Sequence, residues 1–447
     1  MNTSTTSHQI SYRSLFLTSI PAVAAVGLEP IAEIIDTALL GQFQSQWIAA
    51  VAATNAFIGS FTWVFNFLSY SVTSQIGQNL GSKNEDALLG LVKLSILISL
   101  GLGLLVSFVL FIGKDFFLET ILGASEQLSD ATDSYWNIRI LGFSLSLLSL
   151  ALMGVLRGLQ KFKLCFLVIF VITGTNAIGS YASLYHFSFG IKGVAWSTVL
   201  AFALGNAQSL YWLISRQDLF KWSLRGRIPT MHIKSFSRDS LNLFGRSACL
   251  TSSMFLMSAM ATRLGSLPLA AHQIILQLWL FTSFFTDGLA VTAASVGSKL
   301  IGEKNAHLHQ LMSKRLLVGG ILCGCFFSIL YGFGKDMMVA LFSQDQQLKI
   351  LLDKVWPILV FTQPINGLVY VYDGILFGTR DYALLRKRMM EGLCLIFLPA
   401  MTIFYLVFNN LFGIWLSLTL LASYRAITSA IFHHFSSQSV YHRLKSC

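Results

Sequence analysis

Three carboxylates lie within eight residues of a long apolar segment near the start of the chain. Glu29, Glu33 and Asp36 are spaced by four and three residues, so in a helix they project from one stripe about 60° wide. Carboxylates this close in a low dielectric cannot all ionise comfortably, so at least one should keep its proton near neutral pH. The spacing therefore predicts a proton-exchanging site. The alternative is that Glu29 or Glu33 lies near a helix end, or pairs with Arg139 or Arg246.

Pro30 lies inside the same acidic segment. Its ring removes one backbone hydrogen bond and crowds the carbonyl of Val26. A helix that bends at this point could couple protonation to movement of the helices around it.

A second set of polar residues lies late in the chain. Asn366 and Tyr370 precede Asp373 by seven and three residues, which puts all three on one helix face, and Asp287 lies in another apolar segment. An acid at the centre of a membrane helix costs about 2.5–3.5 kcal/mol, so it normally faces a cavity or a partner. We expect these four residues to line a cavity that attracts cationic compounds. The alternative is that the acids pair with polar groups of neighbouring helices, as Asp287 before Gly288 could do.

Other chemistry is not indicated. No phosphate-binding loop, nucleophile elbow or zinc motif occurs, so we predict neither an enzyme nor a cofactor, and ATP-driven transport would need another subunit. His307 and His309 are interpreted as part of a solvated loop rather than as a metal site.

Membrane-spanning helices must position these side chains. The chain has 447 residues, of which 54% are hydrophobic and 11% charged, and soluble proteins carry about twice that charged fraction. Its apolar blocks are continuous and approach the roughly 20 residues that cross a bilayer, which favours helices over β-strands. The sequence therefore predicts an all-α polytopic membrane protein. The twelve predicted spans are residues 15–40, 47–78, 88–112, 136–156, 164–187, 193–214, 239–262, 269–300, 316–334, 356–377, 389–408 and 411–433.

The positive charges predict the orientation of the spans. With the N-terminus in the cytoplasm, cytoplasmic segments hold 21 of the 31 Lys and Arg residues, external loops hold 6, and 4 lie within or at the ends of spans. Cytoplasmic loops of membrane proteins carry this excess. We therefore expect both termini in the cytoplasm. The short polar N-terminus does not resemble a long transit peptide, which favours the inner (plasma) membrane of a bacterium.

The chain also carries an internal repeat. When the second half is aligned on the first, identical residues recur at a nearly constant separation along the sequence. The matches are Ser74 with Ser295, Gly81 with Gly302, Lys83-Asn84 with Lys304-Asn305, Gly154 with Gly374, and Gly158 with Gly378. We predict an N-terminal lobe at residues 1–214, a cytoplasmic linker at 215–238 and a C-terminal lobe at 239–447. Two six-helix lobes of equal orientation suit transport by alternating access.

Three segments of the sequence resemble one known transporter family. They are Glu29-Pro30 with residues 36–41, residues 190–198, and residues 270–274 with 287–290. The first two resemble the first helix and the start of the sixth helix of the MATE (multidrug and toxic compound extrusion) transporters. The third is similar to the eighth helix of the DinF-like branch of that family. The resemblance covers nearly the whole chain. It implies two six-helix lobes around a central cavity, and export driven by inward flow of protons or sodium ions.

The resemblance also implies a site for the coupling ion. Asp36 matches the family's ion-binding acid of the first helix, while Asn176 and Thr198 match further members of the site. Ser180 stands where relatives commonly carry an aspartate. Because a complete oxygen cage for sodium would lack one carboxylate, this departure favours protons.

These observations together predict an antiporter that exports organic compounds, cationic or amphipathic, in exchange for H+ rather than Na+. Its expected partners are membrane lipid, the small-molecule substrate and the coupling ion, without nucleic acid. The first alternative is a flippase or exporter of a lipid-linked or anionic metabolite, which would need a basic cavity. The second is a membrane-embedded enzyme, for which we identify no nucleophile or metal-ligand cluster at membrane depth.

Overall fold

The computed structural model describes residues 10–41, 45–117, 126–215, 230–342 and 345–435, and helices dominate all five ranges. The helices of the first half are α1 (Tyr12–Gly41), α2 (Ser45–Phe65), α3 (Phe67–Gly81), α4 (Glu85–Ile112), α5 (Glu126–Leu141), α6 (Phe143–Gly158), α7 (Phe162–Tyr185) and α8 (Gly190–Ser215). The helices of the second half are α9 (Thr230–Arg263), α10 (Ser266–Gly302), α11 (Ala306–Phe333), α12 (Lys335–Phe342), α13 (Gln346–Gly378), α14 (Tyr382–Glu391), a π-helix (Gly392–Phe397), α15 (Leu398–Phe408) and α16 (Leu411–Phe435).

The predicted all-α fold is confirmed, because every predicted span coincides with helix. The second span consists of α2 and α3, the fourth of α5 and α6, and the eleventh of α14, the π-helix and α15. Within the described ranges, six helices are long and apolar enough to cross a membrane by themselves, or seven when a pair bent by 44° at residue 142 counts as one span. Interruptions therefore divide three of the twelve spans without changing their number.

The chain forms two compact units. One unit is Ala24–Ser237, and the other is Arg238–Cys447 together with Met1–Val23. The first part of α1, up to Val23, packs within the second of these units, where Ser19 Oγ lies 3.1 Å from Thr292 Oγ1. Arg315 also donates a hydrogen bond to the carbonyl of Ile10. The lobe boundaries at residues 214 and 239 stay a prediction.

The backbone repeats the geometry of one interhelical turn in both halves. Lys83 and Lys304 each adopt φ of 55°, in the left-handed region that non-glycine residues rarely occupy. The next residues, Asn84 and Asn305, each cap a helix by accepting a hydrogen bond from the backbone N–H three residues on, at 3.1 and 3.0 Å. Because two unusual features recur together at corresponding positions of the repeat, they support the internal duplication.

Close helix contacts also recur at corresponding positions. A Cβ atom added to Gly154 of α6 would lie 2.6 Å from the carbonyl oxygen of Ser69 on α3, and one added to Gly374 of α13 would lie 2.3 Å from that of Ala290 on α10. The alignment that places the two turns on one another also carries Ser69 onto Ala290. Small residues let helix backbones approach closely where lipid supplies no hydrophobic drive. Each unit therefore depends on a glycine at an equivalent helix crossing.

We predict that Gly374→Ala destabilises the protein by about 1–3 kcal/mol. The added methyl group would clash with the backbone of α10, and only a movement of α13 away from α10 could relieve the clash. Thermal unfolding of the purified protein in detergent measures the effect. Gly332→Ala in α11 is the matched control, because a Cβ atom there would meet nothing within 4 Å. Equal melting temperatures for the two variants would contradict the close contact.

Candidate functional site

The first candidate site lies between α7 and α8 in the unit Ala24–Ser237. Thr198 Oγ1 of α8 donates a hydrogen bond to Asn176 Oδ1 of α7 at 2.9 Å. Ser180 follows Asn176 by one turn and is fully buried. Its hydroxyl has no hydrogen-bond partner among the described residues. The structure thus joins two of the predicted ion-site residues and places a buried hydroxyl next to them on the same helix face.

Small residues let α7 and α8 approach closely enough for these short side chains to meet. A Cβ atom at Gly179 would lie 2.7 Å from Ser197 Oγ, and one at Gly193 would lie 2.5 Å from Ser183 Cβ. The two serine hydroxyls lie 3.4 Å apart. The polar contact therefore follows from helix packing that the sequence encodes in glycine and serine.

The predicted carboxylates of the first helix lie in α1. The helix continues from Tyr12 to Gly41, so the stripe predicted for Glu29, Glu33 and Asp36 has the required backbone. The side chains of these three residues lie outside the part of the structure that is described. Their role in ion coupling stays a prediction.

The second candidate site is an ion-pair cluster in the unit that begins at Arg238. Arg246 of α9 and Arg425 of α16 both contact Oδ2 of Asp373 on α13. The Asp373 side chain is only 4% exposed, whereas those of Arg246 and Arg425 are 12% and 13% exposed. Two guanidinium groups therefore compensate the carboxylate that the sequence suggested as an attractor of cations.

Two other predicted cavity residues lie on helices of the same unit that pack closely against each other. Tyr370 is one turn before Asp373 on α13, and its ring centroid lies 6.4 Å from that of Trp279 on α10. Asp287 is half-buried on α10. The close approach of α13 to α10 at Gly374 and Ala290 holds these two helices together.

Asn366 occupies a different environment, because it is only 2% exposed. Its amide donates to Gln363 Oε1 at 3.3 Å, and the Gln363 amide donates in turn to the Leu359 carbonyl at 2.8 Å. A ligand would reach Asn366 only if the surrounding helices separated. Its predicted role in the cavity stays a prediction.

The sequence analysis did not predict that two arginines would join Asp373 in one cluster. The structure shows that Arg246 contacts Asp373. The alternative pairing of Arg246 with Glu29 or Glu33 stays a prediction. A useful signal was present, since Arg246, Asp373 and Arg425 are all charged residues within predicted spans of the same half. Charges at membrane depth normally pair with one another.

The solvated-loop interpretation is wrong for His309. This residue is 1% exposed, and its ring centroid lies 6.4 Å from that of His433. It lies in the first turn of α11 rather than in a loop. Among the described residues, no group of three or more His, Cys, Asp or Glu side chains could hold a metal ion.

Comparison with known proteins decides the family. The MatE family model matches residues 21–182 and 243–386, one stretch in each half. This chain belongs to the MatE family. As a MATE protein it is an efflux transporter by class, and the two matched stretches agree with the repeat in its backbone.

Relatives and solved structures agree with this assignment. Protein DETOXIFICATION 42 from Arabidopsis thaliana is 26% identical over 91% of this chain and 89% of its own length. DNA damage-inducible protein F from Escherichia coli is 24% identical over 94% and 91%. The Vibrio cholerae MATE transporter VcmN in its bent form shares the fold with a TM-score of 0.87 and 15% identity, covering 99% of both chains. A MOP-superfamily transporter from Pyrococcus furiosus, described with a binding pocket of reversed polarity, has a TM-score of 0.87 and 16% identity, covering 98% of both chains.

We predict that the Asn176–Thr198 hydrogen bond couples these two MATE positions by about 0.5–1.5 kcal/mol, the usual net value of a hydrogen bond inside a protein. A double-mutant cycle with Asn176→Ala and Thr198→Val measures this coupling from the melting temperatures of the four proteins. Thr198→Val keeps the side-chain shape and removes the donor. Additive effects would show that the contact adds no stability.

Proposed function

We propose that this MATE-family transporter is a secondary active antiporter that exports an organic compound in exchange for protons. The observation that carries the proposal is the polar site of Asn176, Thr198 and the buried Ser180 hydroxyl. It lies in the same compact unit as the acidic part of α1. Protons would bind the carboxylates of Glu29, Glu33 and Asp36, and the neutral site would supply hydrogen-bond partners to them.

The chemistry of the neutral site favours protons over sodium as the coupling ion. Hard cations require several oxygen ligands, and binding strengthens with the number of carboxylates among them. Asn176, Ser180 and Thr198 offer only neutral oxygen atoms. Proton exchange needs no such cage, because a cluster of acids in a low dielectric is enough.

The remaining features of the proposal concern location and substrate. We infer a bacterial inner membrane with both termini in the cytoplasm from the distribution of Lys and Arg. Asp287 and Tyr370 support a substrate site in the second unit. The expectation of a cationic or amphipathic substrate rested partly on Asp373, whose charge two arginines already compensate.

Everted membrane vesicles with an acidified interior test the antiport. Addition of an exported compound should release protons from wild-type vesicles, and Asp36→Asn should abolish this release while the protein still inserts into the membrane. A pH-sensitive dye follows the gradient during additions of organic cations, carboxylates and sodium chloride. The Asp36→Asn change keeps the side-chain shape and removes the group that takes up the proton.

Glu85→Gln is the matched control, because Glu85 is an exposed acid in the first turn of α4. This variant should release protons as the wild type does. Normal proton release by Asp36→Asn would contradict the coupling site, and a response to sodium alone would replace proton coupling by sodium coupling.

A further inference from the structure

The ion-pair cluster carries more positive than negative charge at its point of contact. Arg246 and Arg425, on two different helices, donate to the same oxygen atom of Asp373 on a third. Both arginines lie well inside predicted spans, where charge is costly. Two guanidinium groups on one carboxylate leave a net positive charge at this point of contact.

Helix packing does not require these charges, because the first half of the chain builds the equivalent helices without them. In the alignment that matches the crossing glycines of the two halves, Asp373 falls on Met153. In the alignment of the first span with the seventh, Arg246 falls on Ala22. Met153 and Ala22 are buried hydrophobic residues. The cluster is therefore an addition to the shared fold, and a functional role accounts for its cost.

The two arginines differ in how they are held. Arg246 also stacks on a ring, with its guanidinium carbon 5.2 Å from the centroid of Phe377. Within the described ranges, Arg425 donates side-chain hydrogen bonds to Asp373 alone, and 13% of its side chain is exposed. A guanidinium has five N–H donors. Arg425 thus keeps donors that another acceptor can reach.

We propose that Arg246 and Arg425 bind an anionic group of the exported substrate, a carboxylate or a phosphate, and that Asp373 occupies the arginines between transport cycles. This inference rests on the proposed exporter function and names its substrate class. The planar guanidinium matches carboxylate and phosphate oxygens through paired hydrogen bonds. Asp373 compensates the arginines when the site is empty, and the substrate competes with it for the same donors.

Binding to the purified full-length protein in detergent tests the proposal without any ion gradient. The probes share one ring and differ in the attached group: benzoate, phenyl phosphate, neutral benzamide and cationic benzylammonium. Ligand-induced shifts of the melting temperature give the affinities. We expect the wild type to bind benzoate, phenyl phosphate or both. It should bind benzamide and benzylammonium at least about tenfold more weakly, because neither forms an ion pair with the arginines. The two anionic probes also show whether a carboxylate or a phosphate is preferred.

Two substitutions should change anion affinity in opposite directions. Arg425→Gln should weaken it by about tenfold or more, because a charged donor is lost. Asp373→Asn should strengthen it by about tenfold, because the internal competitor loses its charge. A purely structural ion pair would not produce this opposition, since both changes would then disturb the same fold. If Arg425→Gln does not fold, Arg425→Lys keeps the charge but loses the planar fork, and it should also bind the anion more weakly.

Arg380→Gln is the matched control. It breaks a separate ion pair of this unit, in which Arg380 Nε lies 2.9 Å from Asp239 Oδ2, and it should leave anion affinity unchanged. Any of three results would overturn the proposal. These are weaker anion binding by Asp373→Asn, tight binding of benzylammonium that depends on Asp373, and no binding of either anion. Failure of proton release in vesicles with intact anion binding would instead overturn the antiport alone.

Discussion

Close contact between helix backbones is the constraint on which the rest of this structure depends. In lipid there is no hydrophobic driving force for helices to associate, so their packing depends on shape complementarity and polar contacts. Gly154 and Gly374 allow the equivalent crossings in the two units, and Gly179 and Gly193 bring α7 against α8. Short polar side chains such as Asn176 and Thr198 can meet only because the backbones already lie this close.

Charge compensation is the second constraint, and it works differently in the two halves. The described polar site of the first half consists of neutral oxygen and nitrogen atoms, while the second half joins a buried aspartate to two arginines. The duplicated fold thus supplies the same helices twice, and local substitutions give each copy its own chemistry. Met153 and Asp373 are buried at equivalent positions of the two halves, so this position does not need a charge for packing. The fold and the chemistry at this position are therefore separable.

Much of the fold could be predicted from the sequence, whereas the pairing of polar groups could not. Twelve apolar segments and an internal repeat are properties of the chain itself, and they predicted the spans and the duplication. The partner of Arg246 depends on which helix packs against α9, and the hydropathy of the sequence does not specify which helices pair. His309 was misjudged for a related reason, because burial of a helix end depends on its neighbour, here His433.

The asymmetry between the halves also bears on how a transporter can change its substrate while it keeps its coupling ion. Proton exchange needs only acids that titrate together, and α1 carries all three of them. Substrate charge preference can then follow from residues in the other unit, such as Arg246 and Arg425, that leave the helix crossings untouched. Because the glycine contacts hold the frame in both units, exchanging an arginine of the proposed anion site for a neutral residue would alter selectivity without redesigning the fold. Selection on the proposed substrate site and selection on the proposed coupling site would then act on separate residues of one chain.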